Sequence, residues 1–415
     1  MKKFLSLMLA LAMVFTLVAC GDNSPATDTP ANETEQTEGF KGTVTVGMCC
    51  PLSGSVGFIG IMMMNSAQVE VDKLNANGGV LGYEVKLVTI DDESTPSKSL
   101  DVTRQLIEQE KCVMLIGPAF TTNALAVKSL VNDSEILQIL PNATGTGVLD
   151  DAPYTYRNSE TDEMRYQACV NLMAKRGETK VAIMTMNDAT GEQAQELIPP
   201  MVEAAGLEYV GAQIFSDGDT DLTAYMMKLK NAGADAVIIA NGNSTYCARV
   251  ATAADVLGWD ISLYGGSGLQ GVSYPQLAGD AAIGTTFVLN YSGEQAKEDY
   301  SNMPAGYAEH VQSVIAKYGT LDQGEGISVM NGTCLPADSI VLWAKAVEAA
   351  GSFDTKDVCK ALDSGDVFIA AEESPSAYFV KPNADTHECV TAEALYAYYW
   401  DKNDAGEWYF HPVEM

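Results

Sequence analysis

The sequence predicts an α/β protein built from two lobes, each with a doubly wound parallel sheet. Short apolar strand signals alternate with helix signals from residue 43 onward, and only short loops separate them. The alternation starts again near Thr179, so the chain contains two successive series of strands and helices. Such alternation is typical of parallel sheets that are covered by helices on both faces. Two series therefore predict two sheets whose strand carboxyl ends face a shared cleft.

The first series begins with the β-branched run TVTVGM, and its first helix ends at the helix-stop signal Asn77-Gly78-Gly79. Thr95-Pro96-Ser97 opens the second helix, because proline is favoured in a first helical turn. Strands are predicted over residues 43–48, 83–90, 113–116 and 136–140, and helices over residues 61–75, 97–110 and 121–132.

The second series contains the buried strand signals KVAIMTM and AVIIA, and Pro199-Pro200 is expected to kink one of its helices. Strands are predicted over residues 180–186, 208–215, 236–240, 261–264 and 285–290, followed by strand-like tail segments at 377–381, 394–400 and 408–411. Helices are predicted over residues 191–205, 222–232, 248–257, 300–317, 334–349 and 355–361.

The N-terminus predicts export. Met1-Lys2-Lys3 is a positive start, and the uncharged apolar run that follows, residues 4–18, is short for a permanent membrane span. The small residues before Cys20 resemble a bacterial lipobox, which implies a lipoprotein signal peptide over residues 1–19 and acylation of Cys20. The alternative is an ordinary signal peptide that happens to contain a cysteine. Residues 20–42 are predicted to be an acidic flexible tether, since they are poor in apolar and basic residues.

Composition excludes several functional classes. The 415-residue chain has a formal net charge of −31, and no basic cluster offsets it, so nucleic-acid binding is not expected. Nine cysteines and three histidines are scattered without a zinc-binding spacing. The cysteines after Cys20 are interpreted as buried apolar thiols, with disulfides as the open alternative. Asp91-Asp92-Glu93 is interpreted as a solvated strand end rather than a metal site.

A first candidate binding loop follows the strand at residues 113–116. It reads Gly117-Pro118-Ala119-Phe120-Thr121-Thr122-Asn123 and opens a helix. A helix start presents free backbone N–H groups and a partial positive charge, and threonine hydroxyls there can donate to an anion. Thr121 and Thr122 are therefore candidate carboxylate ligands. The alternative is that Thr121 only caps its helix.

A second candidate loop follows the next strand and reads Pro141-Asn142-Ala143-Thr144-Gly145-Thr146-Gly147. Consecutive βα units are usually neighbours in space, so this loop is expected beside the first one. Asn142, Ala143 and Thr144 are its candidate ligand contacts. In the second series, Asn241 follows the buried strand AVIIA and is a candidate hydrogen-bonding residue of the other lobe. A simple turn is the alternative for both segments.

Enzymatic function is not predicted. The sequence has no G-x-S-x-G, no Walker loop and no G-x-G-x-x-G after a strand. None of its histidines adjoins a Ser- or Cys-rich turn that could supply a nucleophile. Catalytic residues, cofactors and metals are accordingly not expected.

An ordered set of short motifs resembles the branched-chain amino-acid (Leu/Ile/Val) binding proteins, a type I periplasmic binding protein family of ABC transporters. No single motif is specific, but the set keeps the family's order over residues 43–410. The motifs are Pro51-Leu52-Ser53-Gly54, Asn75-x-x-Gly78-Gly79-Val80-Leu81-Gly82, Asp91-Asp92, Ile116-Gly117-Pro118, Pro141-Asn142-Ala143-Thr144, Asp188-x-x-Gly191-Glu192 and Gly279-Asp280-Ala281-Ala282-x-Gly284.

The resemblance implies a three-stranded hinge between the lobes. It places lobe 1 at residues 43–158 plus 291–389 and lobe 2 at residues 159–290 plus 390–415. It also implies that Thr121 and the segment from Asn142 to Thr144 bind a ligand carboxylate, which agrees with the helix-start argument. Permease subunits of an ABC transporter are the implied partners.

Two positions depart from the family pattern. Members that bind amino acids carry an acidic residue where this chain has Ser267, and an aromatic residue where it has Thr190. A serine cannot neutralise an ammonium group, so a free amino acid becomes a doubtful ligand unless Asp188, Glu325 or another acid replaces it. Both positions remain candidate ligand contacts, and Phe58 is a candidate aromatic wall.

The sequence thus predicts an extracytoplasmic, lipid-anchored substrate-binding protein of an ABC importer at the outer face of the cell membrane. Its expected ligand is a small amino-acid-like or carboxylate solute bound between the lobes. The alternative is a ligand-sensing receptor module of the same fold that signals to a membrane partner.

Overall fold

The computed structural model describes residues 39–54, 56–271, 273–290, 303–319 and 334–415. The predicted signal peptide, Cys20 and most of the predicted tether lie outside these residues. The described strands are β1 Thr43–Cys50, β2 Glu84–Asp91, β3 Met114–Ile116, β4 Leu137–Leu140, β5 Thr155–Arg157, β6 Lys180–Met186, β7 Glu208–Phe215, β8 Ala236–Ala240, β9 Ser262–Gly265, β10 Thr286–Asn290, β11 Leu395–Lys402 and β12 Trp408–Val413.

The described α-helices alternate with the strands as far as β10, apart from the consecutive strands β4 and β5, and three helices then follow one another before β11. They are α1 Gly57–Ala76, α2 Pro96–Glu108, α3 Thr121–Asp133, α4 Asp162–Arg176, α5 Ala189–Ala204, α6 Thr223–Asn231, α7 Ser244–Val256, α8 Ser273–Ala278, α9 Ala305–Tyr318, α10 Leu335–Ala350 and α11 Thr355–Asp363. In this part of the chain, no helix combines the length and the apolar character that a bilayer span requires.

The first sheet has the strand order β2-β1-β3-β4-β5 within the described residues, and all its neighbouring strands are parallel. One face packs against α1, α10 and α11 around fully buried side chains such as Met48, Met63 and Trp343. The opposite face packs against α2 and α3 through a smaller apolar cluster that includes Leu106 and Val127. Both faces are therefore covered, which explains why its strands read as apolar runs.

The second sheet has the order β12-β11-β10-β9-β8-β6-β7 within the described residues. Helices α6, α7 and α8 contribute to one apolar core and α4 and α5 to the other, so this sheet is covered on both faces as well. The doubly wound α/β class is confirmed, with one difference. Strands β10, β11 and β12 are antiparallel neighbours rather than parallel ones, because β11 and β12 form a hairpin along the sheet edge.

Several element predictions were incomplete or wrong. Strand β5 and helix α4 were missed, although Thr161 caps α4 and Gly177 ends it in the left-handed conformation. The predicted strand at 377–381 is wrong: only a single bridge joins Val380 to Ile369, and Ala377 has a φ of 66°, which breaks an extended strand. Helices α1 and α7 begin four residues earlier than predicted.

The segments that the resemblance identifies as crossovers lie against one another. The backbone of Arg157 exchanges hydrogen bonds with His387 and Cys389 at 3.0 and 2.8 Å. The hydroxyl of Tyr378 donates to the carbonyl of Asn158 at 2.9 Å and accepts from the amide of Asn290 at 3.2 Å. The predicted lobe boundaries stay predictions.

Candidate ligand-binding cleft

A cavity of about 490 Å³ lies where loops from both sheets meet. The strand order places a topological switch point between β1 and β3 in the first sheet and between β6 and β8 in the second. In open α/β sheets, ligands bind at the carboxyl ends of strands next to such points. The loops after β3, β4, β8 and β9 contribute residues to this cavity, as do the N-terminal turns of helices α1 and α5, which follow β1 and β6.

Eight of the residues predicted to contact ligand line the cavity: Phe58, Thr121, Thr122, Asn142, Thr144, Thr190, Asn241 and Ser267. Ala143 does not. It is fully buried, and its carbonyl accepts a hydrogen bond from Arg157 Nη1 at 2.9 Å. The cavity therefore gathers residues that lie far apart in the sequence, whereas their roles in ligand binding stay predictions.

Helix α3 begins at the cavity wall without a side-chain cap. Phe120 is its N-cap residue, and no side chain among the described residues caps the first-turn N–H groups. Thr121 is thus the first helical residue rather than the cap, contrary to the alternative reading of this position. The uncapped N–H groups and the positive end of the helix dipole remain available to an anion.

The two loops predicted to be neighbours touch at Thr121. Its Oγ1 accepts a hydrogen bond from the backbone N–H of Gly145 at 2.9 Å, which leaves the hydroxyl proton free to be donated. Gly145 is tightly packed, since an added Cβ would lie 2.7 Å from Thr121 Cγ2 and 2.9 Å from Oγ1. Glycine at this position allows the second loop to approach the helix start.

Arg157 supports the second candidate loop, which follows β4, by hydrogen bonds to its backbone carbonyls. Its Nη1 donates to the carbonyls of Ala143 at 2.9 Å and Gly145 at 2.7 Å. Its Nε donates to Glu388 at 2.9 Å, and Nη2 bonds the other carboxylate oxygen of the same residue. The side chain is buried, so these charge-assisted bonds form a rigid support for the loop that carries Asn142 and Thr144.

Helix α4 supplies cavity residues that the sequence prediction missed: Asp162, Arg165 and Tyr166. Arg165 pairs through Nη1 with Asp162 at 2.9 Å and through Nη2 with Glu160 at 2.8 Å. Burial disfavours the charged guanidinium, but these two carboxylates outweigh it and raise the pKa of Arg165 above its ordinary value. The capping signal Thr161 followed by an acidic turn could have revealed this helix.

Asp188 and Glu325 are the two acidic residues considered as partners for a ligand ammonium group. Asp188 caps α5 by accepting from the N–H of Gly191 at 2.8 Å and is absent from the cavity lining described here. Glu325 lies outside the described residues. Asn241 lines the cavity, and its side chain also accepts from the N–H of Asn243 at 2.7 Å, so it shapes the turn as well.

The described cysteines and the Asp91-Asp92 strand end lie outside the cavity lining. The eight cysteines from Cys49 onward are buried thiols, as interpreted from the sequence. Asp92 is fully buried and accepts from Ser99 at 2.8 Å and Asn123 at 3.2 Å, which corrects its expected solvent exposure. Within the described ranges, no cluster of His, Cys, Asp and Glu is arranged to hold a metal ion.

Comparison with known proteins identifies the class. The family model described as "Periplasmic binding protein" matches residues 43–405, so the chain belongs to that family. It is 24% identical to the Leu/Ile/Val-binding protein BraC3 of Rhizobium johnstonii, over 86% of this chain and 92% of that protein. It is 25% identical to the leucine-, isoleucine-, valine-, threonine- and alanine-binding protein of Pseudomonas aeruginosa, over 77% of this chain and 82% of that protein.

Solved structures show the same fold. The branched-chain amino acid transporter substrate-binding protein LivJ of Streptococcus pneumoniae, in complex with isoleucine, has a TM-score of 0.71 at 24% identity and covers 90% of this chain and all of its own. A Rhodopseudomonas palustris solute-binding protein of an ABC transporter, in complex with 4-hydroxybenzoate, has a TM-score of 0.74 at 22% identity, over 90% of this chain and 96% of that one. The chain is thus a two-lobed member of the periplasmic binding protein family, and the relatives that it matches here are solute-binding proteins rather than enzymes.

Proposed function

We infer that this chain is the extracytoplasmic, lipid-anchored substrate-binding protein of an ABC importer and carries a small carboxylate or amino-acid-like solute. The observation that carries this proposal is the uncapped start of α3 in the wall of the cavity. Free N–H groups and the hydroxyls of Thr121 and Thr144 match the needs of a carboxylate. The isoleucine and 4-hydroxybenzoate bound by the two solved relatives both carry one.

Binding proceeds in two steps in this proposal. The ligand first meets lobe 1 (residues 43–158 with 291–389) at Thr121 and the Asn142–Thr144 loop. Lobe 2 (residues 159–290 with 390–415) then closes over it and adds the contacts of Thr190, Asn241 and Ser267. Closure is a population shift, because the ligand touches both lobes only in the closed form. Permease subunits recognise that closed form and receive the solute.

A thermal-shift screen of the full-length protein against amino acids, aromatic and aliphatic acids, amides and polyamines tests the ligand class. We expect stabilisation by a carboxylate and a 1:1 stoichiometry in calorimetry. Stabilisation by amides or polyamines alone would contradict the proposal. Uptake of the identified acid should also fall when the gene is deleted, whereas unchanged uptake with a lost transcriptional response would favour a sensory role.

The lipid anchor is tested separately at Cys20. The wild-type protein should incorporate labelled palmitate and sediment with membranes. Cys20→Ser should abolish both, because the acceptor thiol is lost. A Cys20→Ser protein that still sediments with membranes and carries label would show that the anchor lies elsewhere.

A further inference from the structure

Arg165, a residue of the cavity lining, has one buried hydrogen-bond donor that is not used within the described part of the chain. The residue lines the cavity and is 7% exposed. Two of its nitrogens bind Asp162 and Glu160, but the buried Nε has no hydrogen-bond partner among the described residues. Leaving a buried donor unpaired costs about 1–3 kcal/mol, so a partner supplied by the ligand would be favourable.

The position of Arg165 relates this donor to the predicted carboxylate site. The backbone N–H of Asp162 donates to the carbonyl of Thr144 at 3.1 Å, so the ion-paired group adjoins that site. On its other side the guanidinium lies against Gly266, where an added Cβ would be 2.5 Å from Arg165 Cδ and 3.1 Å from Nε. The residue after Gly266 is Ser267, which stands where amino-acid-binding relatives are expected to carry an acid.

The charges here restrict what the ligand can place beside Arg165. An ammonium group has no lone pair, so it cannot accept a hydrogen bond from Nε–H and would leave this donor unpaired. A second ligand carboxylate would add negative charge beside Glu160 and Asp162, which already outnumber the single arginine. A neutral oxygen avoids both penalties because it accepts from Nε without adding charge.

We propose that Arg165 determines specificity by selecting small monocarboxylates that carry a neutral oxygen on the carbon next to the carboxylate, namely 2-hydroxy or 2-oxo acids, over 2-amino acids. This inference rests on the proposed function and names its substrate class. The ligand carboxylate binds at the start of α3, and the hydroxy or oxo oxygen on the adjacent carbon accepts a hydrogen bond from Arg165 Nε–H.

Calorimetry with two matched series tests the class. One series is leucine, 2-hydroxy-4-methylpentanoate, 4-methyl-2-oxopentanoate and 4-methylpentanoate; the other is phenylalanine, 3-phenyllactate, phenylpyruvate and 3-phenylpropanoate. In at least one series the hydroxy or oxo acid should bind about tenfold or more tightly than both the amino and the unsubstituted acid. Equal or tighter binding of the amino or unsubstituted acid overturns the inference and leaves the carboxylate site standing. Absence of binding by all eight acids also overturns the inference, whereas the wider thermal-shift screen decides separately whether the proposed function stands.

Variants separate specificity from folding. Arg165→Lys keeps the positive charge but has no Nε–H, so it should lose the preference for the oxygenated acid while still binding the unsubstituted one. Gly266→Ala keeps Arg165 but displaces its guanidinium, and it tests the proposal independently if Arg165→Lys fails to fold. Gly218→Ala is the control, since Gly218 is exposed outside the cavity lining and an added Cβ would have no neighbour within 4 Å. A full preference retained in folded Arg165→Lys or Gly266→Ala would overturn the proposal.

Discussion

Gly145→Ala should weaken ligand binding although residue 145 need not touch the ligand. The new Cβ would lie 2.7 Å from Thr121 Cγ2 and 2.9 Å from Oγ1, so the threonine must rotate or the two loops must separate. Either movement breaks the 2.9 Å bond between Gly145 N–H and Thr121 Oγ1. If the hydroxyl then loses a charge-assisted bond to the ligand carboxylate, the cost is about 1.5–3 kcal/mol, or roughly 10- to 150-fold in Kd.

The assay is calorimetric titration of the tightest acid from the screen into folded wild type, Gly145→Ala and Gly218→Ala. The control also adds one methyl group to a glycine, but outside the cavity lining and without close contacts. We expect Gly218→Ala to bind within about threefold of wild type. Equal affinities for Gly145→Ala and Gly218→Ala would refute the role assigned to Thr121.

Three further predictions concern Arg157, the buried carboxyl of Asp338 and the binding of branched-chain amino acids. Arg157→Lys should lower the free energy of unfolding by about 1.5–3 kcal/mol and weaken ligand binding in calorimetry, because lysine cannot bond the loop carbonyls and Glu388 together. An unchanged free energy of unfolding and an unchanged Kd would contradict the supporting role of Arg157. Burial raises the pKa of the Asp338 carboxyl to about 7. The folded protein therefore keeps a proton that the unfolded chain releases near pH 4. The free energy of unfolding consequently falls as the pH rises from about 4 to about 7. Asp338→Asn should therefore gain melting temperature relative to wild type between pH 5 and pH 8, and a constant difference would refute the shift. Leucine, isoleucine and valine should bind weakly because Ser267 carries no charge, and tight binding of any of them would show that another acid serves the ammonium.

Sequence patterning predicted the alternating strands and helices because their periodicities differ and the central strands are apolar runs. Two elements were missed for different reasons. Strand β5 has only three residues, and helix α4 is polar on much of its surface. The strand predicted near Tyr378 was wrong, since one residue with positive φ, Ala377, outweighs local strand propensity. Apolar patterning does not report such backbone conformations.

The candidate cleft was predictable where a loop directly follows a buried strand. Thr121, Asn142 and Asn241 were found in this way, because strand ends converge at one edge of a parallel sheet. Arg165 was not found, since it lies in the middle of a helix whose position relative to β9 depends on tertiary packing. Its ion pairs with Asp162 and Glu160 have no sequence signature beyond local charge alternation.

The most direct test compares the tightest-binding acid with its primary amide by calorimetry, in wild type and in Thr121→Val. If the uncapped start of α3 binds a carboxylate, the amide should bind wild type at least about tenfold more weakly than the acid, and Thr121→Val should weaken binding of the acid more than binding of the amide. Equal binding of acid and amide to the wild-type protein would contradict the account.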